Sequence, residues 1–264
     1  MKNLDESGAS DLVSEDVAYD QNVHHVLPPA PLEPGDARRL VILDRSDPQA
    51  ITWAAEQLAA GGVIAFPTDT VYGVGASLGR PDALGRVYAI KGRPLDRPLP
   101  VLLASVEALS RVAHDLDPKV ALLLEHYWPG PLTVVVRARE GMPDEVLGPG
   151  GTIGTRVPNH PLAIRLLEQV GGALAVTSAN RSGAAPACTA PEVADALGDA
   201  LDLLVDGGPT PGGVPSTVVA LAGDDLIILR EGAILGDDLT AAWSSLTHED
   251  DGLGNAGGGA ASRS

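Results

Sequence analysis

The 264-residue sequence is poor in cysteine, lysine, aromatic residues and long apolar runs. The single cysteine, Cys188, excludes an internal disulfide and is consistent with a reducing compartment. No apolar run approaches the roughly 18–20 residues that span a bilayer, and the acidic N-terminus lacks the apolar core of a signal peptide. Aromatic residues make up only 3% of the chain, so Val, Leu, Ile and Ala must form the core. These absences predict a cytoplasmic protein with no membrane association.

Several common catalytic motifs are also missing. The chain has no Walker loop, no nucleophile elbow and no HExxH sequence, and the GVG at 73–75 is not continued as a dinucleotide fingerprint. The six histidines do not cluster, and one cysteine cannot build a zinc site. The sequence therefore predicts neither nucleophilic nor zinc-dependent hydrolysis, and no resident metal site.

Charge is distributed unevenly along the chain, whose formal total is −17. Residues 1–36 carry −7, residues 237–264 carry −4, and residues 37–236 carry −6. Both ends are rich in Ser, Gly or acidic residues and could bury little apolar surface. We predict a disordered acidic tail over 1–36, one domain over 37–236, and a largely disordered tail over 237–264. A chain with this negative charge is also a poor candidate for binding nucleic-acid phosphates.

Strand and helix patterns alternate within the predicted domain. Apolar runs bounded by Gly or Pro predict strands at 63–66, 100–104, 132–138, 152–158, 173–178, 202–206, 216–221 and 226–230. Caps and N-terminal prolines predict helices over about 47–60, 81–90, 118–128, 161–170 and 189–197. This alternation, with a few adjacent strands, predicts one α/β domain built on a mixed, twisted sheet.

Four polar clusters follow or precede predicted strands: PTDT (67–70), TSAN (177–180), PST (215–217) and Arg230. Ligands of open α/β sheets collect where strands end. PTDT and TSAN, each taken alone, are more typical of a turn or a helix cap, because Asp, Thr, Ser and Asn bond their own backbone. Their joint occurrence at strand ends favours a binding site.

The segment AIKGRPLDRPLPVL (89–102) gathers Lys91, Arg93 and Arg97 in a chain with only three lysines. Pro94 and Pro98 stiffen it. A solvated surface does not need prolines, and a nucleic-acid surface would need more cations. Lys91 and Arg93 could simply favour the C-terminal end of the preceding helix. The alternative that we prefer is a rigid pocket for a small polyanion such as a nucleoside triphosphate.

Six motifs occur in a family-specific order: FPTDTVYGVGA, AIKGRPLDRPLPVLLAS, YWPGPLTVVV, TRVPNHP, LAVTSANRSG and PSTVVAL…LREG. Over about 61–232 the chain resembles the YrdC/YciO family of threonylcarbamoyl-AMP synthases, in its short single-domain form. The resemblance implies a twisted mixed sheet with flanking helices around a concave, cation-lined cavity. It also implies a reaction in which ATP, L-threonine and bicarbonate give threonylcarbamoyl-AMP and pyrophosphate. Mg²⁺ would accompany the ATP. The product would pass to a transferase complex that forms threonylcarbamoyladenosine in tRNA, with weak or indirect contact to tRNA itself.

The resemblance further implies roles for individual residues. Threonine would be bound by Thr70, Arg156, Ser216 and, through its backbone, Val176. ATP would be bound by Lys91, Arg93, Arg97, Thr152, Ser178, Asn180 and Arg230. Of these, Lys91, Arg93 and Arg230 would stabilise the charge that develops during catalysis. No residue stands out as a general base. The chain departs from some relatives at Arg97, Leu102 and Pro186, where those relatives have Asn, His and Ser.

Two other functions remain open at this point. One is a related enzyme that uses carbamoyl phosphate in place of threonine and bicarbonate, against which an amino-acid clamp of Arg156, Thr70 and Ser216 would argue. The other is a double-stranded RNA-binding module, against which the domain's charge of −6 argues.

Overall fold

The apolar runs of the sequence pair side by side into one mixed sheet. The computed structural model describes residues 40–114 and 116–253, with side chains to residue 247. Its strands are β1 (Val41–Asp44), β2 (Ile64–Pro67), β3 (Tyr72–Ala76), β4 (Val101–Leu103), β5 (Leu132–Arg137), β6 (Thr152–Arg156), β7 (Ala173–Ser178), β8 (Leu203–Asp206), β9 (Thr217–Ala222) and β10 (Asp225–Arg230). They lie in the order β1-β8-β2-β3-β7-β4-β6-β5-β9-β10. The predicted α/β class and mixed sheet are confirmed.

Helices flank this sheet, and most begin where the sequence supplies a cap. They are α1 (Ala50–Ala59), α2 (Pro81–Lys91), α3 (Pro118–Tyr127), α4 (Pro161–Gln169), α5 (Ala190–Leu197) and α6 (Gly236–Leu253). The side chain of Asp117 accepts a hydrogen bond from the backbone N–H of Lys119 and so caps α3. Thr189 and Glu192 form the predicted capping box at the start of α5.

The sheet separates two hydrophobic cores. Helices α1 and α4 cover one face, where Leu58 and Leu166 pack against strand residues such as Phe66. Helices α2, α3, α5 and α6 contribute to the core on the other face, together with Tyr72 and Val219. The strands of such a two-sided arrangement read as continuous apolar runs, which is why most of them were predicted.

Strand β3 was not predicted, because glycines at 73 and 75 weaken the strand signal. The structure explains both glycines. A Cβ on Gly73 would lie 2.6 Å from Cγ1 of Val176 on the neighbouring strand, and one on Gly75 would lie 2.9 Å from Cγ2 of the same residue. Strand β1, which has four residues of which three are apolar, was missed as well.

The prediction of a largely disordered tail from residue 237 is wrong for the part that the structure describes. Helix α6 begins at Gly236, and its Leu239 and Trp243 are buried against the domain. Trp243 Nε1 donates to the carbonyl oxygen of Asp224 at 3.1 Å. The predicted tail over 1–36 lies outside the described residues, as do residues 254–264. None of the helices in the described part of the chain has the length and apolar character needed to cross a membrane.

Candidate functional site

The PTDT sequence forms the turn between β2 and β3 and is held by its own hydroxyl groups. Thr68 Oγ1 donates to the carbonyl oxygen of Val71 at 2.7 Å and accepts from the N–H of Thr70 at 3.2 Å. The hydroxyl groups of Thr68 and Thr70 lie 3.0 Å apart. From the other side, Gly213 donates its N–H to the carbonyl oxygen of Thr70 at 2.7 Å. The predicted threonine-binding residue Thr70 is therefore buried on a fixed turn.

Arg156, at the end of β6, reaches this turn. Its Nη1 donates to Thr70 Oγ1 at 3.0 Å, its Nη2 forms an ion pair with Asp69 Oδ1 at 2.6 Å, and its Nε donates to the carbonyl oxygen of Gly130 at 2.9 Å. Burial lowers the pKa of Arg156, and the charge of Asp69 opposes that shift. The predicted pair Thr70 and Arg156 is thus in direct contact.

This contact requires a strongly curved sheet. Strands β3 and β6 are separated by β7 and β4, which in a flat sheet would set them roughly 14 Å apart, at about 4.8 Å per strand. Leu102 of β4 pairs with both Arg156 and Leu174, near the start of β7, whereas Thr70 lies beyond the opposite end of that strand. The sheet must therefore curl until the β2–β3 turn and the end of β6 face each other.

Lys91 ends α2 with its ammonium group turned inward, and only 3% of the residue is exposed. Nζ donates to the carbonyl oxygens of Ser178 and Asn180, both at 2.5 Å, and lies 3.4 Å from Asn180 Oδ1. Ser178 Oγ in turn lies 2.6 Å from Asn180 Oδ1. Burial, and to a lesser extent the charge of Arg93, lowers the pKa of Lys91 to about 8. The structure thus brings Lys91, Ser178 and Asn180 into contact. The ammonium group of Lys91, however, donates to carbonyl oxygens of the protein itself.

The proline-rich loop after α2 is held by hydrogen bonds to its own carbonyl oxygens. Gly92 ends the helix with a positive φ of 58°, a conformation that favours glycine. Arg93 then folds back, with Nε donating to the carbonyl oxygen of Arg97 at 2.8 Å and Nη2 to that of Pro98 at 2.9 Å. Tyr88 donates its hydroxyl to the same Arg97 carbonyl at 2.9 Å. Arg97 itself is exposed on this loop.

Arg230 ends the edge strand β10 and lies against the PST turn. Its Nη2 donates to the carbonyl oxygen of Ser216 and lies 3.3 Å from Ser216 Oγ. Ser216 Oγ also lies 2.8 Å from Thr133 Oγ1 in β5. Loss of hydration lowers the pKa of Arg230, and the charges of Arg156 and Arg93 lower it further. Although much of Arg230 is exposed, its guanidinium is repelled by the charges of two other arginines.

The predicted residues are brought together to different degrees. The charges of Arg156 and Arg93 lower the pKa of Arg230, and the charge of Arg93 lowers that of Lys91. Thr152 Oγ1 donates to the carbonyl oxygen of Pro149. Thr152 lies near the Arg93 loop, since a Cβ on Gly148 would be 2.9 Å from Thr152 Oγ1 and 3.6 Å from Pro98 Cγ. The roles assigned to these residues stay predictions.

Val176 lies within β7, and its implied backbone contact with threonine stays a prediction. Its N–H donates to the carbonyl oxygen of Pro100 at 2.8 Å, and its methyl groups cover Gly73 and Gly75. Leu102, where some relatives have His, packs into the core beneath α1 and α4.

Sequence reasoning missed three residues around the Arg156 end of the site. Asp69 pairs with Arg156, Thr133 bonds Ser216, and His160 caps α4 by accepting from the N–H of Ala163 at 3.4 Å. Burial lowers the pKa of His160 while the charge of Asp69 raises it. Asp69 could have been noticed, because it stands between two predicted turn residues in PTDT. No sequence signal marked the other two.

A model of the Sua5/YciO/YrdC family, described as telomere recombination, matches residues 56–232. The chain is 38% identical over 212 residues to a threonylcarbamoyl-AMP synthase of Bacillus subtilis, which covers 80% of this chain and 61% of that relative. A threonylcarbamoyl-AMP synthase of Halorhodospira halophila is 39% identical over 160 residues, covering 61% of this chain and 84% of the relative. The crystal structure of Pyrococcus abyssi Sua5 complexed with L-threonine is similar with a TM-score of 0.72 at 33% identity, covering 77% of this chain and 60% of that one. The chain spans about three fifths of the Bacillus and Pyrococcus relatives.

Proposed function

Because the chain belongs to the Sua5/YciO/YrdC family, we propose that it is a threonylcarbamoyl-AMP synthase. ATP, L-threonine and bicarbonate would give threonylcarbamoyl-AMP and pyrophosphate, for the threonylcarbamoyladenosine modification of tRNA. The observation that carries the proposal is that Arg230, hydrogen-bonded at the turn of Ser216, has its pKa lowered by the charges of both Arg156 and Arg93. Like charges gathered in this way repel, so a polyanionic ligand is the natural complement of the site.

The Arg156 end suits the amino acid. Three of its five N–H groups donate to Gly130, Thr70 and Asp69, which leaves one N–H on each of Nη1 and Nη2 without an acceptor among the described residues. A substrate carboxylate is a suitable acceptor for these remaining charged donors. The hydroxyl groups of Thr70 and Ser216 lie on the same side of the domain, where they could bond the threonine hydroxyl.

The Arg93 and Arg230 end suits the nucleotide. In the proposed reaction the threonine nitrogen takes up CO₂ or bicarbonate as a carbamate, a carbamate oxygen attacks the α-phosphorus of ATP, and pyrophosphate leaves. Charge grows on the phosphoryl oxygens and on pyrophosphate, where fixed guanidinium groups stabilise it. Positioning two bound reactants can itself supply roughly 7–11 kcal/mol of the barrier, so a general base is not required.

The remaining components are part of the same proposal. Mg²⁺ would arrive with ATP, whose phosphate oxygens are ligands that this cation prefers. The protein would act in the cytoplasm and pass its product to a tRNA-modifying transferase complex, with tRNA itself bound weakly or not at all.

The test is product detection by mass spectrometry after mixing the protein with ATP, Mg²⁺, bicarbonate and L-threonine. We expect threonylcarbamoyl-AMP and threonine-dependent pyrophosphate release. Arg93→Ala should slow that release sharply, whereas the exposed Arg165→Ala on α4 should not. Product formed from carbamoyl phosphate but not from threonine would favour the related carbamoyl enzyme. Retention on double-stranded RNA at about 150 mM salt, with no adenylate product, would favour the RNA-binding module.

A further inference from the structure

The ion pair between Asp69 and Arg156 joins two largely buried charges at the proposed amino-acid end of the site. Their side chains are 11% and 6% exposed, and the Nη2–Oδ1 distance is 2.6 Å. A buried ion pair is weak evidence for stabilisation, because removing both charges from water offsets most of their attraction. The position of this pair, beside unused arginine donors, calls for a functional explanation.

The backbone at Asp69 packs closely against a second segment of the chain, which contains Gly212. A Cβ on Gly212 would lie 2.8 Å from the carbonyl oxygen of Asp69 and 3.1 Å from Cα of Thr70, so the two segments are in close backbone contact. Arg156 engages Oδ1, and no described residue donates to Oδ2. One carboxylate oxygen therefore remains as an acceptor beside the unused arginine donors.

We propose that Asp69 binds the α-ammonium group of the amino-acid substrate while Arg156 binds its α-carboxylate. An amino acid carries its positive and negative groups on one carbon atom, and the Arg156–Asp69 pair presents donors and an acceptor side by side in the complementary order. This inference rests on the proposed function for the presence of an amino acid, and adds the residue that distinguishes an amino acid from a hydroxy acid or simple carboxylic acid.

The charge of Asp69 also predicts an effect of opposite sign on a ligand that has no ammonium group. Such a ligand meets a carboxylate that repels it and competes with it for Arg156. Loss of the Asp69 charge should therefore weaken the binding of threonine and strengthen the binding of 3-hydroxybutanoate, which is threonine without its amino group. A residue that only orients Arg156 would change the binding of both ligands in the same direction.

The experiment measures the dissociation constants of L-threonine and 3-hydroxybutanoate for the full chain and for Asp69→Asn, by direct titration and by competition. Asparagine keeps the shape and an oxygen acceptor for Arg156. We expect threonine to bind roughly ten- to a hundredfold more weakly, the effect of losing one charge-assisted hydrogen bond, while 3-hydroxybutanoate binds more tightly. Asp195→Asn, an exposed carboxylate on α5, is the matched control and should change neither constant.

Equal weakening of both ligands, or an unchanged ratio between them, would overturn the inference and leave the proposed function intact. Failure of the unaltered protein to bind threonine at all would refute both. Thermal melting checks the fold of each variant. If Asp69→Asn does not fold, Asp69→Glu keeps the charge but moves it by one methylene. This variant should bind threonine more weakly without binding 3-hydroxybutanoate more tightly. Equal effects on both affinities would again refute the role of Asp69.

Discussion

Replacing Lys91 with methionine would test whether this lysine serves the site through the Ser178–Asn180 turn. Methionine fills a similar volume but donates no hydrogen bond. The carbonyl oxygen of Asn180 would lose the ammonium donor, whereas that of Ser178 would keep the N–H of Asn180 at 3.0 Å. One unsatisfied buried acceptor and one weakened bond together cost about 2–4 kcal/mol of folding free energy.

The free energy that the native state spends on a buried charge nearly offsets this cost of the lost hydrogen bonds. The pKa of Lys91 falls from 10.5 to about 8, chiefly through burial. At about 1.4 kcal/mol per pKa unit, keeping the ammonium group charged below pH 8 costs the native state about 3 kcal/mol. Methionine removes this cost. We therefore expect a melting temperature within a few degrees of the original at pH 7, together with a large loss of threonine-dependent pyrophosphate release, because the turn is no longer fixed.

The pH dependence has a definite sign. The native pKa lies below the unfolded value, so the cost of the charged lysine is full below pH 8 and disappears as pH rises from about 8 to 10.5. The stability of the original protein relative to Lys91→Met should therefore increase over that range. Its activity should decrease over the same range, because a neutral amine has one donor fewer and no charge.

The assays are thermal melting and steady-state pyrophosphate release at pH 7 to 9.5, with Lys119→Met on α3 as the control. Normal kcat/KM in a folded Lys91→Met variant would refute the role of Lys91. A stability difference between the two proteins that does not change between pH 7 and 9.5 would refute the buried-charge reasoning.

Three further changes test other parts of the structure. Arg156→Lys removes the guanidinium donors but keeps a charge, so the KM for threonine should rise roughly ten- to a hundredfold with little change in that for ATP, and equal effects on both would contradict the assignment. Gly75→Ala places a Cβ 2.9 Å from Val176 Cγ2 and against the carbonyl of Ala175, and should lower the melting temperature by roughly 4–10 °C. Trp243→Ala should cost about 3–5 kcal/mol if α6 packs as observed, and an unchanged denaturant midpoint would show that it does not.

Local signals in the sequence were sufficient for most elements of the fold. The strand at 63–66 was predicted because an apolar run is bounded by Gly and Pro, and the helix after Thr189 because its cap is encoded within four residues. Strand β3 was missed because its glycines are explained only by Val176, about a hundred residues later. Helix α6 was missed because Leu239 and Trp243 are two apolar side chains in a polar, acidic segment, and their burial depends on the domain beneath them.

The site was less accessible to sequence reasoning than the fold, for a geometric reason. PTDT was noticed as a cluster, but an aspartate in a turn usually bonds its own backbone. Its actual partner is Arg156, 87 positions away, and the two meet only because the sheet curls across β7 and β4. Curvature is a property of the whole sheet, and no local pattern encodes it. The resemblance supplied Arg156 and Thr70 as members of one site, but not the aspartate between them.

The curled sheet also explains why an acidic chain gathers cations on a proline-rich loop. Arg93 is fixed by its own loop carbonyls, Arg156 by the β2–β3 turn and Arg230 by the turn before β9. These hydrogen bonds oppose the repulsion that the charges of Arg156 and Arg93 exert on Arg230. A triphosphate bound among them would replace that repulsion with attraction, and no rearrangement would be needed at the moment when charge develops on the leaving group. Under the proposed function, the loop that contains Pro94 and Pro98 would hold Arg93 in place before an anion binds.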